Sequence, residues 1–353
     1  MRAYVALTAN AKTQGYLPSF SPPPKLGSLR KKYLGLPQSC EVLLWTLASS
    51  INPSDFHPAI PNETLPQVMG SDVCGSVIAV ESHCTRLKVG DIVWGDIGAN
   101  VKVAVAGGGN TSTKELGAFG EFSLALETQL SVAPKNLNVL EIASLPKVAL
   151  TSYKALTWYA DALNATGIWA KRPTVLVLGG SGGTGTTGLQ LARAFGASEI
   201  ITTTSPRNFA YCASNGATKL IDYHSENWWD DAVVPADSVD VVYDTVGQSG
   251  TGDRAMEKLK RGGYYVTITG QLASRVKEGT HQAFFINSDT NLDNYKMLED
   301  LVKLVEADRL RMKSLRVFDL SEVPLAFNTS QEGHVTGKLV IAVGKDAVQK
   351  PTV

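Results

Sequence analysis

The stretch Val175 to Ala197, VLVLGGSGGTGTTGLQLARAFGA, decides the fold. It joins a strand apolar enough to be buried on both faces, a glycine-rich turn and the opening of a helix. Gly180, Gly182 and Gly185 match G-x-G-x-x-G in the strand-to-helix context that the motif requires. Glycines there permit a tight turn and let backbone N–H groups approach a pyrophosphate at the helix N-terminus, where the dipole favours negative charge. Gly183 belongs to the same cradle, and Ser181 and Thr184 can add hydroxyl donors. A structural turn is the plain alternative; the flanking strand and helix favour dinucleotide binding.

The end of the next strand selects the dinucleotide. An NAD site places Asp or Glu there for the ribose 2′-OH, whereas an NADP site needs neutral or basic groups for the 2′-phosphate. The strand ends Thr203-Thr204-Ser205-Pro206-Arg207, without a carboxylate, so NADPH is the expected cofactor. Arg207 can supply a charge-assisted contact and Ser205 a hydroxyl. Arg207 also reads as an ordinary solvent-facing loop residue.

Outward from this segment the pattern continues. EIITTT, KLIDY, VDVVYDTV and GYYVTITG are continuous apolar strands alternating with helical stretches, the doubly wound α/β arrangement with a parallel sheet. Upstream of Pro146 the chain instead reads as short β segments, RAYVAL, EVLLWTLAS, SVIAVES, DIVWGDIG and GEFSLA, each followed by turn chemistry. Pro18 to Lys32, with the basic triplet Arg30-Lys31-Lys32, and Val105 to Ala118, with Gly107-Gly108-Gly109, read as surface loops. Residues 291–308 read as an amphipathic helix with Leu298, Leu301, Val302 and Val305 on one face. LRVFDL and GKLVIAV then resemble the opening β segments. The expected organisation is a β domain from residues 1–146 and 291–353 around a dinucleotide-binding domain at residues 147–290.

Composition is that of a soluble globular chain of 353 residues, 44% hydrophobic and 19% charged. Thirty-three basic residues balance thirty-three acidic ones, so no net field draws the chain to nucleic acid or an anionic membrane, and a small-molecule partner is expected. Cys40, Cys74, Cys84 and Cys212 form no C-x-x-C pair, and the five histidines lack metal-ligand spacing. A reducing compartment fits these cysteines best. No apolar stretch approaches the roughly 20 residues that span a bilayer, and no signal peptide is apparent. The expectation is a cytoplasmic protein, or a mitochondrial one if a transit peptide has been removed.

SINPSD at 50–55, GSDVCGSV at 70–77, KVGDIVWG at 88–95, GAFGEF at 117–122, ASLPKVALTSYKAL at 143–156 and the glycine loop together resemble the medium-chain dehydrogenase/reductase superfamily, in its zinc-free quinone oxidoreductase branch. The likeness covers nearly the whole chain. FFINSD at 284–289 and GHVTGKLVI at 333–341 look most like the reticulon-interacting NADPH oxidoreductase type. The resemblance implies a GroES-like β domain built from both chain ends plus a Rossmann domain, with the cofactor held in the cleft between them. It implies cofactor contacts at Tyr223 and at Lys338, and places Val246, Thr269 and Phe285 toward the nicotinamide. The lysine that relatives often carry after the second strand corresponds here to Asn208, with Arg207 one place earlier.

Zinc members of the superfamily carry an early Cys, a Gly-His-Glu segment and a four-cysteine lobe. This chain has Pro53-Ser54 and Gly70-Ser71-Asp72 at those positions and no lobe, so zinc independence is expected. Hydride addition to an already electrophilic conjugated carbonyl needs no metal, so the expected reaction is NADPH-dependent reduction of a quinone or α,β-unsaturated carbonyl. Asn52 resembles the polar residue that relatives place near the nicotinamide and substrate, and equally fits an Asn capping the turn before Pro53. Thr151 resembles a threonine close to the nicotinamide, and equally fits a hydroxyl at a helix start. Asp55 and Asp72 read as structural carboxylates and His57 as a loop residue. Enoyl-thioester reductases of the superfamily carry a tyrosine after the N-P-x-D segment; residues 56–62 hold none, which disfavours that alternative. A third reading is a non-catalytic NADPH-binding protein of the same fold. The strand edge from GYYVTITG to HQAFFINSD would leave backbone groups unpaired, so a homodimer burying Phe284 and Ile286 is expected.

Overall fold

The computed structural model describes residues 1–7, 14–20, 22–29, 39–55, 65–99, 101–104, 110–113 and 117–344. The basic triplet at 30–32, His57 and Gly107 to Gly109 lie outside them, as do parts of the loops at 56–66 and 98–118. The strands in chain order begin with β1 (Ala3–Ala6), β2 (Gln14–Leu17), β3 (Glu41–Ser50), β4 (Gln67–Val68) and β5 (Asp72–Val80). β6 (Ile92–Asp96), β7 (Val101–Ala104), β8 (Asn110–Thr113), β9 (Phe122–Leu126) and β10 (Ser131–Val132) follow. The middle of the chain supplies β11 (Thr174–Leu178), β12 (Glu199–Thr204), β13 (Lys219–Asp222), β14 (Val239–Asp244), β15 (Leu259–Thr267) and β16 (His281–Phe284), and the end supplies β17 (Leu315–Asp319) and β18 (Lys338–Ala342). They divide between two units: Met1–Lys147 with Asn287–Glu306 and Lys313–Val353, and Val148–Ile286 with Ala307–Met312.

The first unit is mainly antiparallel. Its largest sheet has the order β10-β6-β5-β3-β18-β17, with β9 also on β3; β2-β1-β4 and β7-β8 form smaller sheets. β3 is central because it has neighbours along both edges, β5 on one side and β9 followed by β18 on the other. Val42, Leu44 and Thr46 accordingly point into the core while Trp45 between them is exposed, the alternation of a sheet with one wet face. One core gathers Val42, Leu44, Val73, Val77, Val93 and Leu124; another gathers Tyr4, Met69, Phe119, Phe318, Phe327 and Ile341. Each such fully buried side chain contributes about 1.5–3 kcal/mol relative to exposure. The C-terminal β18 therefore completes a sheet begun by the first fifty residues.

The amphipathic helix runs Tyr295–Glu306, starting later than the expected residue 291, with Met297, Leu298, Leu301 and Val305 buried. Asn291 explains the difference: its amide donates to the carbonyls of Asp96 (2.6 Å) and Gly98 (2.7 Å), which holds the preceding segment to the exit of β6 rather than in a helix.

The second unit holds a six-stranded sheet, β13-β12-β11-β14-β15-β16, parallel throughout. Counted within the unit this is the order 3-2-1-4-5-6 of a Rossmann fold, in which the order reverses between the first and fourth strands. The runs TVLVL and VDVVYD are almost entirely buried, as strands covered by helices on both faces must be.

The cysteine reading needs correction. Cys40, just before β3, and Cys84, in the turn after β5, form a disulfide with Cα atoms 5.3 Å apart, while Cys74 and Cys212 are free and buried. No local motif announces this pair, because antiparallel pairing of β3 with β5 brings together residues 44 positions apart. A reducing compartment does not favour such a bond. Closing a loop of that length should stabilise the unit by up to about 4 kcal/mol in the chain-entropy model. Cys40→Ser, or a reductant added to the wild-type chain, is therefore expected to lower the unfolding free energy by about 2–4 kcal/mol in denaturant titrations. An identical midpoint with and without reductant would show that the bond contributes nothing in solution.

Candidate active site

In the second unit, β11 ends at Leu178 and the chain turns through Gly179–Gly182 into the helix Gly183–Ala194. The close approach of helix to turn explains two of the motif glycines. A Cβ on Gly185 would sit 2.1 Å from the Gly179 carbonyl oxygen, and one on Gly180 would sit 2.2 Å from Thr202 Oγ1. The helix is capped by Gly182, with no side-chain hydrogen bond to its first turn and no acidic residue there. Its leading N–H groups are thus left to an incoming anion, as a pyrophosphate cradle requires. Ser181, Gly183 and Thr184 line the same turn and are half-buried. Behind it, Ser152 Oγ donates to the Thr184 carbonyl (2.9 Å) and shares hydrogen bonds with Thr187 and Tyr243, bracing the helix start.

At the neighbouring strand end, Gly179 N–H donates to Thr203 Oγ1 (3.0 Å) and Gly180 N–H to the Thr203 carbonyl (3.2 Å), which fixes the turn against β12. Ser205 follows, 8% exposed, its Oγ accepting from Asn208 Nδ2 (3.3 Å). Arg207 is exposed on the single 3₁₀ turn Pro206–Asn208, and no carboxylate stands on this strand end. Tyr223, beyond β13, is 46% exposed and leans on the His224 ring (4.3 Å).

Sequence reasoning missed Asp244, the last residue of β14. Wholly buried, its carboxylate accepts from Val246 N–H (2.9 Å) and Gly247 N–H (3.0 Å) through Oδ1, while the hydroxyls of Thr267 (3.1 Å), Thr269 (3.2 Å) and Tyr265 (3.3 Å), the last also donating to the Gln271 carbonyl (2.6 Å), surround Oδ2. These polar neighbours compensate its desolvation, and the two backbone N–H bonds lock the turn that carries Val246, whose side chain is 56% exposed. The segment D-T-V-G after an apolar strand is the signal that could have found it. Phe285 is buried and stacks on Tyr159 with ring centroids 4.6 Å apart. Thr151 lies within the helix Pro146–Thr157, five residues after its start, which corrects its reading as a helix-start hydroxyl; it is buried.

In the first unit, Asn52 and Lys338 meet in a buried polar cluster. Lys338 Nζ donates to the Ile51 carbonyl (2.8 Å), Asn52 Oδ1 (2.8 Å) and Asp72 Oδ2 (3.4 Å). The Lys338 ammonium thus has three acceptors inside the unit. Burial pushes its pKa below the usual lysine range, against the pull of Asp72 and Asp55. Asn52 Nδ2 donates to Asp72 Oδ2 (2.8 Å) and its backbone N–H to Asp55 Oδ2 (2.8 Å). Asn52 is thus held on both amide ends and is 2% exposed, its side chain bonded to Asp72 and Lys338 rather than to the turn Pro53–Asp55.

Asp72 and Asp96 are directly opposite each other on β5 and β6. Like charges so placed repel, and Lys147 stands between them: its backbone N–H donates to Asp72 Oδ1 (2.7 Å) and its Nζ lies 3.2 Å from Asp96 Oδ2. Ser71, at the position where zinc members carry histidine, donates instead to Asp55 Oδ1 (3.2 Å). Among the described residues, the group of possible metal ligands that lies together is Cys40, Cys84 and Glu127, and its two sulfurs are bonded to each other.

Two family models match the chain, the alcohol dehydrogenase GroES-like domain over residues 38–135 and the zinc-binding dehydrogenase over residues 215–341. The chain is 34% identical over 309 residues to the 2-methylene-furan-3-one reductase of Solanum lycopersicum, covering 85% of this chain and 71% of that protein. It is 31% identical over 309 residues to the chloroplastic NADPH-dependent alkenal/one oxidoreductase of Arabidopsis thaliana, covering 85% and 72%. The quinone oxidoreductase of Coxiella burnetii superposes with a TM-score of 0.73 at 27% identity over 98% of this chain and 99% of its own. With its 3-2-1-4-5-6 sheet, its glycine turn and a β unit closed by both chain ends, the chain belongs to the medium-chain dehydrogenase/reductase superfamily, in the quinone oxidoreductase branch.

Proposed function

We propose that the protein is a zinc-independent, NADPH-dependent oxidoreductase that reduces a quinone or an α,β-unsaturated carbonyl. The observation that carries this reading is the glycine-capped helix start beside a β12 end without a carboxylate, with Ser205 and Arg207 in its place. The relatives named as alkenal/one oxidoreductase, furanone reductase and quinone oxidoreductase support the acceptor class. Bound NADPH supplies a hydride from its nicotinamide.

The chain's own residues bind and orient. Gly180 to Gly185 cradle the pyrophosphate with backbone N–H groups, and Ser205 with Arg207 receives the 2′-phosphate. Tyr223 flanks the adenosine end. Asp244 fixes the turn of Val246 and holds Thr269, and these residues with Phe285 and Thr151 form the nicotinamide side. Asn52 and Lys338 act from within their buried cluster as supports rather than as reacting groups. The proton that completes reduction comes from solvent.

Turnover is tested by NADPH oxidation across quinones, enones and an enoyl-thioester, each with and without exhaustive chelation. Reduction of a quinone or enone, unchanged by the chelator and without stoichiometric zinc, is expected. Chelator-sensitive turnover would overturn zinc independence, preference for the thioester would move the acceptor class, and tight NADPH binding without acceptor-dependent oxidation would leave a binding protein.

Cofactor choice is tested by direct titration. NADPH should bind at least tenfold more tightly than NADH, a difference of about 1.4 kcal/mol. Arg207→Ala should weaken NADPH and leave NADH nearly unchanged; an equal loss for both would make Arg207 structural.

Assembly follows from the sheet edge. β16 ends the six-stranded sheet, with Phe284 43% and Ile286 39% exposed beside it. An open apolar edge of this kind pairs readily with a second copy. Light scattering at micromolar concentration should give about twice the chain mass, and Ile286→Lys should reduce it toward the chain mass. A wild-type monomer would refute the dimer.

A further inference from the structure

One polar cluster of the first unit holds three buried carboxyl groups, Asp55, Asp72 and Asp96, each 0% exposed, against two ammonium groups, Lys147 and Lys338. Three negative charges against two positive ones leave the cluster one proton short of neutrality, and an uncompensated buried charge is among the most costly features a fold can hold. Burial pushes the pKa of the Asp96 carboxyl upward as well as that of Asp55, with Lys147 opposing it; the hydrogen bonds show which of the three has the weakest compensation. Asp72 receives Lys338 Nζ, Asn52 Nδ2, Ser50 Oγ (2.6 Å) and the Lys147 backbone N–H. Asp96 receives Lys147 Nζ, Asn287 Nδ2 (2.8 Å) and the Gly98 backbone N–H (3.0 Å). Asp55 has two neutral partners, the Asn52 N–H and the Ser71 hydroxyl, and among the described residues no ammonium within ion-pair distance.

We propose that Asp55 is held as a neutral carboxylic acid, its proton on Oδ1 and donated to Ser71 Oγ, and that in this form it positions Asn52 and Ser71. The geometry accommodates the proton without rearrangement. The 3.2 Å contact between Asp55 Oδ1 and Ser71 Oγ serves with either oxygen as donor, and Oδ2 goes on accepting from Asn52 N–H at 2.8 Å. The groups that face Asp55 act in both directions: burial and Asp72 push its pKa up to about 7, while Lys147, the Asn52 N–H and Lys338 oppose them. Loss of the proton therefore falls near neutral pH, and ionisation leaves a net negative charge sealed beneath Asn52.

The folded state keeps a proton that an unfolded aspartate releases near pH 3.9, so stability from this group is fully present at acid pH and is lost as pH rises toward the folded value of about 7. Asp55→Asn reproduces the neutral form, its amide nitrogen donating to Ser71 and its oxygen accepting from Asn52. Thermal melts of the full chain from about pH 5 to about pH 8 should show a decline in wild type that is flattened in Asp55→Asn, with the variant at least as stable at the upper end. Asp55→Ala should be less stable at every pH. Infrared spectra of the wild type should show a protonated-carboxyl C=O stretch that disappears with rising pH and is absent in Asp55→Asn. Parallel pH profiles for wild type and Asp55→Asn would overturn the proposal, as would a carboxyl band that persists in the variant, since the proton would then reside on Asp96 or Asp72. Neither measurement uses NADPH or an acceptor, so the result is independent of the proposed activity.

Discussion

One buried ammonium ties the two ends of the chain together. Lys338, the first residue of β18, reaches the Ile51 carbonyl, Asn52 and Asp72, so a residue near the C-terminus neutralises charge set down more than 260 positions earlier. The same strand pairs with β3 through Val340, Ile341 and Ala342, which gives the ion pair a rigid frame. Buried pairs of this kind are often no better than apolar residues of equal volume, but removing one partner leaves a charge stranded at a cost of about 3–5 kcal/mol. The first unit thus depends on Lys338 less for attraction than for avoiding an unpaired Asp72. Lys147 answers the same need on the other side, between Asp72 and Asp96.

The second unit solves a similar problem without a cation. Asp244 is as buried as Asp72, yet its compensation comes from two backbone N–H groups and the hydroxyls of Thr267 and Thr269, which also bond each other. Because those donors come from the turn after β14 and from β15, satisfying one carboxylate also sets the shape of two adjacent strand ends. Strand ends on this side of a parallel sheet are where ligands bind, since the loops that leave them diverge at the point where strand order reverses. The glycine turn after β11 is shaped differently, by backbone contact with β12 and by lack of room for any Cβ at Gly180 or Gly185.

How much of this was legible in the sequence depended on how local the cause was. Apolar runs such as TVLVL and VDVVYD announce buried strands by themselves, and the spacing Gly180, Gly182, Gly185 declares its turn because every determinant lies within six residues. The return of LRVFDL and GKLVIAV to the opening sheet was readable from their likeness to its strands. Lys338 and Asn52 were marked as important through resemblance, but nothing local to either residue says that their polar atoms are engaged with each other. Cys40 and Cys84 were hidden for the same reason, being joined only by the register of β3 on β5. Helix boundaries failed where side chains outcompeted periodicity, as at Asn291, whose amide prefers the carbonyls of Asp96 and Gly98.

The separation of 287 residues between Ile51 and Lys338 also has a consequence in time. At ordinary translation rates of about 5–20 residues per second, on the order of fifteen to sixty seconds pass between emergence of the two from a ribosome. During that interval β3 and β5 exist without β18, and Asp72 without its ammonium, so the nascent N-terminal segment waits with its carboxylates still hydrated. The parallel sheet of the second unit has all six of its strands before Asn287 and can form first. Folding can therefore proceed from the inserted unit outward, with β18, made after all six strands of that unit, bringing the ammonium that lets Asp72 become buried.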